Sequence, residues 1–79
     1  MKKSEMQVRF RDLLEENKNA IRDMRSECDY QTAVMFCGKV CGIASAMRVI
    51  GLIDFDQESE IKDEAFAIVE GKEPEYEAC

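Results

Sequence analysis

The sequence predicts an all-α chain of three helices, and three observations carry that reading. Apolar residues recur at helical spacing in the first and last thirds of the 79 residues. Between them, Thr32 to Ile53 is apolar around most of a helical circumference, with only Lys39 and Arg48 charged. Strand alternation is missing, and Gly51 and Gly71 fall where a helix would stop.

The first helix is expected over about 5–25. Met6, Phe10, Leu13, Leu14, Ala20, Ile21 and Met24 form one stripe, with charged residues outside it. Ser4 followed by Gln7 has the pattern of a capping box. Asn17 falls inside the stripe. An amide there either pairs with its own copy and fixes the register of an oligomer, or bonds to a backbone carbonyl.

The second helix is expected over about 29–50. One ideal helix running through both segments would set their apolar stripes far apart in angle, so a fold-back is expected between Ser26 and Asp29, each a good N-cap. A single bent helix is the alternative. Ala33, Phe36, Cys37, Val40, Ile43, Ala44 and Met47 make one face, a bulky core stripe. Val34, Gly38, Cys41, Gly42, Ser45 and Val49 make the other, which is small at its middle. Each glycine costs about 1 kcal/mol of helix propensity against alanine. Close approach of another helix backbone would offset that, so this face is read as a self-association surface. A bilayer span needs roughly 20 apolar residues, and Lys39 and Arg48 lie at depths where charge is expensive. No membrane insertion is expected.

Gly51 suits the residue that ends the second helix, and Asp54 or Asp56 suits the cap of a third over about 57–70, closed by Gly71. The expected organisation is one helical domain over 1–71 and an acidic, mobile tail over 72–79. Small size makes a dimeric or higher helical bundle a natural remedy for a thin core.

Net charge is −6, distributed as +1 over residues 1–28, +1 over 29–53 and −8 over 54–79. That pattern lacks the basic patch of a nucleic-acid binder. An acidic third helix presenting Glu58, Glu60, Asp63 and Glu64 suits a protein partner with a basic surface; the plain alternative is a solvated face. Four cysteines without histidine do not complete a zinc site. Cys28, Cys37 and Cys41 are expected as small buried residues with free thiols in a reducing cytoplasm, and Cys79 as exposed.

No histidine, phosphate-binding loop or nucleophile elbow is present, so no catalytic residue and no cofactor are expected. The spacing Glu60-x-x-Asp63 resembles the Glu-rich helices of all-α nucleotide pyrophosphohydrolases. That resemblance would imply Mg²⁺ and phosphoanhydride hydrolysis, but no Lys, Arg and Asn arrangement completes it. A second alternative is an oligomer binding a small anionic, nucleotide-like ligand between subunits through Arg9, Arg11, Lys18, Arg22, Arg25, Lys39 and Arg48. The leading expectation is a non-catalytic, self-associating interaction protein, of a style suited to a phage or mobile-element regulator or inhibitor of a host protein. Gly38, Cys41, Gly42, Ser45, Val49 and Asn17 are its expected self-association residues.

Overall fold

A computed structural model describes residues 2–72, in which three helices fold around one core. Helix α1 spans Lys3–Ser26, α2 spans Tyr30–Val49 and α3 spans Phe55–Glu70. The tail expected from residue 72 onward, including Tyr76 and Cys79, lies outside the described residues except for Lys72.

Helix α1 starts earlier than its capping signal implied. Lys2 is the N-cap and offers no side-chain cap, while the Met6 N–H already donates to the Lys2 carbonyl at 3.1 Å. Ser4 and Gln7 therefore sit inside the helix, and their box does not form. The expected fold-back does form. The Asp29 N–H donates to Met24 O at 2.8 Å and the Cys28 N–H to Arg25 O at 3.0 Å, a Schellman closure. Cys28 carries the left-handed residue, φ 58°, that such a closure needs. It is exposed and disulfide-bonded, which corrects its expected role as a buried free thiol. A reversal this tight holds the side chain of its left-handed residue away from the core.

Asp29 then caps α2. Its carboxylate accepts from the Thr32 hydroxyl at 2.7 Å and the Thr32 N–H at 3.1 Å, and these bonds hold its pKa below the ordinary value. Helix α2 ends by the same closure, with Gly51 at φ 82° and the Leu52 N–H donating to Met47 O at 2.9 Å. A full capping box opens α3: Gln57 N–H donates to Asp54 Oδ1 at 2.8 Å and Asp54 N–H to Gln57 Oε1 at 3.0 Å. Gly71, at φ 72°, closes it.

The core consists of Leu14 and Ile21 from α1, Ala33, Cys37, Val40, Ala44 and Met47 from α2, Leu52 from the corner, and Ala65 and Ile68 from α3. Ile21 and Val40 are the largest side chains wholly removed from solvent, each contributing about 1.5–3 kcal/mol of burial. Helix α2 supplies half of these ten residues because its bulky stripe faces both neighbours.

Candidate interaction surface

The five buried residues of α2 occupy one side of the helix. Of its 18 most apolar consecutive residues, 28% are buried. Among the described residues α2 is the one helix long and apolar enough to cross a bilayer, a property that a core helix also has.

Where does the remaining apolar surface go? One flank turns to α3. The Ser45 hydroxyl donates to Glu58 Oε2 at 2.8 Å, Arg48 Nε donates to Glu58 Oε1 at 2.6 Å, and Lys62 Nζ lies 3.1 Å from Oε2. The Arg48 guanidinium stacks over the Phe55 ring at 4.2 Å. Glu58 is 7% exposed. The Ser45 hydroxyl first, then Lys62 and Arg48, hold its pKa below the ordinary value despite burial.

Two expected roles change with this arrangement. Glu58 was expected on the outer acidic face, yet it is buried, because its position in the first turn of α3 points it at α2, where Ser45 and Arg48 supply donors. Ser45 was expected on the self-association face, yet its hydroxyl is held by that carboxylate. Cys41 is half-buried against the core, one turn from Cys37. Burial pushes the Cys37 thiol up to about 11, and neighbouring Cys41 adds to the shift. Both thiols are free.

The opposite flank is open. An added Cβ at Gly38 or at Gly42 would meet, beyond its own helical backbone, no atom of the described residues within 4 Å. Val34, Met35 and Val49 stand beside them, 57%, 52% and 70% exposed. This flank continues onto α1 as a groove with Phe10, Leu13, Glu16 and Asn17 on one wall and Phe36, Lys39, Gly42, Ile43 and Ala46 on the other. Leu13 is 41% exposed there. Asn17 Nδ2 donates to Leu13 O at 2.8 Å, the backbone-bonded arrangement allowed for by its place in the stripe.

On α3, Glu60, Asp63 and Glu64 are exposed, and Glu64 accepts from Lys18 at 2.9 Å. Lys18 also lies 2.8 Å from Glu15. Burial works against charge on Lys18, but the two carboxylates outweigh it and raise its pKa. Of the cations named for an anionic ligand, Arg11 and Lys18 line one pocket, but they share it with the carboxylates Glu15 and Glu60. Lys18 joins α1 to α3, and Arg48 is tied to Glu58. Arg22 donates to Asn19 Oδ1 at 2.6 Å. Arg25 is buried 4.7 Å over the Tyr30 ring, its Nε without a hydrogen-bond partner. Lys39 lies 4.8 Å over Phe36, while Arg9 and Arg11 are exposed on α1. Among the described residues no three of His, Cys, Asp and Glu are grouped to hold a metal ion.

Sequence reasoning missed the Ser45–Arg48–Glu58–Lys62 cluster. Its signals were present: Ser45 and Arg48 are spaced i,i+3 on one helix and Glu58 and Lys62 i,i+4 on the next. Nothing in the sequence set those two pairs against each other.

The fold defines a small all-α protein of three helices. No protein-family model, no curated protein and no solved structure matches the chain.

Proposed function

We propose that this chain is a non-catalytic interaction protein that self-associates through the open flank of α2 and offers the acidic side of α3 to a protein with a basic surface. One observation carries the reading. Among the described residues, the most apolar helix keeps a flank of small and apolar residues, Val34, Gly38, Gly42 and Val49, uncovered. A contiguous apolar surface of this kind is characteristic of an interaction site. The outer acidic side reduces to Glu60, Asp63 and Glu64 once Glu58 is withdrawn to the core. The anionic-ligand reading has no comparable support, because Lys18 and Arg48, two of its seven cations, are already paired with carboxylates.

Light scattering coupled to size exclusion, in reducing buffer, tests the self-association. A dimer or larger species is expected, with Gly42→Leu shifting the mass toward monomer while the far-UV spectrum stays helical. A monomer at millimolar chain concentration overturns self-association. Reversing Glu60 and Asp63 to lysine is expected to weaken retention of a basic protein partner without loss of helicity. Unchanged retention would return that face to plain solvation.

A further inference from the structure

We infer that the α1–α2 groove docks the same groove of a second copy of this chain, closing an antiparallel four-helix bundle in which Glu16 of each chain pairs with Lys39 of the other. This rests on the self-association reading above and specifies its geometry.

A helical hairpin has two broad sides. Helix α3 covers one, through Ala65 and Ile68 in the core and through the Lys18–Glu64 and Arg48–Glu58 ion pairs. No residue of α3 lines the groove on the other side. That groove has the place and chemistry of a missing fourth helix. Phe10, Leu13, Phe36 and Ile43 supply apolar surface, while Gly42 and Ala46 keep one wall low. Packed helices approach to about 8–10 Å between axes, and small residues at the contact favour the near end of that range.

Charge selects the occupant. Glu16 on the α1 wall and Lys39 on the α2 wall are the groove's two charged residues. Lys39 rests on the Phe36 ring, and neither residue forms an ion pair among the described residues. A uniformly basic protein surface is attracted by one and repelled by the other. An anionic lipid surface would meet the same conflict, attracted by Lys39 and repelled by Glu16. A second copy related by a two-fold axis satisfies both, because an isologous interface sets each residue i against j and each j against i. Glu16 then meets the partner's Lys39, and Lys39 the partner's Glu16. The dimer adds apolar burial to a chain of a size at which a single core is thin.

Charge reversal tests this. Both residues are exposed in the single chain, so Glu16→Lys, Lys39→Glu and the double variant are expected to fold alike by circular dichroism. Dimer dissociation is then measured by sedimentation at moderate salt. Each single reversal is expected to weaken the dimer by about tenfold or more, since close interfacial charge pairs couple strongly. The double variant, with the signs exchanged, is expected to recover most of the wild-type affinity. Dimers unaffected by any reversal would overturn this geometry while leaving self-association standing. So would single losses without recovery in the double variant. A wild-type chain monomeric at millimolar concentration would overturn both this geometry and the reading beneath it.

Discussion

Gly38→Ala and Gly42→Ala separate the behaviour of the single chain from that of its assembly. In the single chain neither added methyl group meets, beyond its own helical backbone, an atom of the described residues within 4 Å, so no steric cost opposes it. Both positions lie inside α2, where alanine is favoured over glycine by about 0.8–1.0 kcal/mol. Each substitution is therefore expected to stabilise the dilute monomer by about 1 kcal/mol, and the pair by about 2 kcal/mol if the effects add. For a domain of this length, about 1 kcal/mol corresponds to a Tm rise of roughly 4–8 °C. Urea titration followed by circular dichroism at low micromolar concentration reads this as a higher midpoint with an unchanged slope.

The two positions part company at higher concentration. Gly42 lines the α1–α2 groove and Gly38 does not. Gly42→Ala is expected to weaken self-association while it strengthens the monomer; Gly38→Ala, on the flank beside the groove, is expected to strengthen the monomer and to weaken association less. A dilute monomer destabilised by Gly42→Ala would refute the reasoning at its base, because the position would then not be open. Equal effects of the two substitutions on association would refute the assignment of the groove as the contact.

Three further expectations follow from single contacts. The lowered pKa of Glu58 means its ionised, hydrogen-bonded form stabilises the fold above the ordinary value of 4.5, a contribution lost as pH falls through the lower folded value; Ser45→Ala is expected to reduce neutral-pH stability and shrink the acid-induced loss. Parallel acid titrations of the two chains would sink that account. Asp54→Ala removes one side of the capping box and is expected to cost about 1 kcal/mol, read as a Tm drop of roughly 4–8 °C. With its thiol raised to about 11, Cys37 is expected to resist alkylation at pH 8 in the native chain and to react on unfolding; mass spectrometry after timed iodoacetamide treatment would contradict this if Cys37 reacted as fast as Cys41.

The three helices and most of their ends were legible in the residues themselves. Caps and closures are short-range: a carboxylate two or three residues ahead of an amide, or a glycine able to take positive φ, acts through its own chain neighbours. Asp29, Asp54, Gly51 and Gly71 each sit at such an end. The fold-back before α2 followed from the phase of two apolar stripes, again a local property. The start of α1 was misread because Ser4 and Gln7 match a capping pattern but lie inside a helix that begins at Lys3. Cys28 was misread because the tight closure there places a cysteine where glycine is the usual residue.

The amino-acid sequence by itself determined that α2 is apolar on more than one side and that its bulky stripe forms the core. Only the tertiary structure decided how the other sides divide. Packing of α3 against one flank took Ser45 and Arg48, and brought Glu58 inward to complete a charged cluster. The same packing left Gly38, Gly42 and Val49 open among the described residues, and the pairing of α1 with α2 made the groove between them. The physical reason is distance along the chain. Helical periodicity fixes which residues share a face, while the choice of face for each neighbour depends on contacts between segments far apart in sequence, which no local pattern encodes.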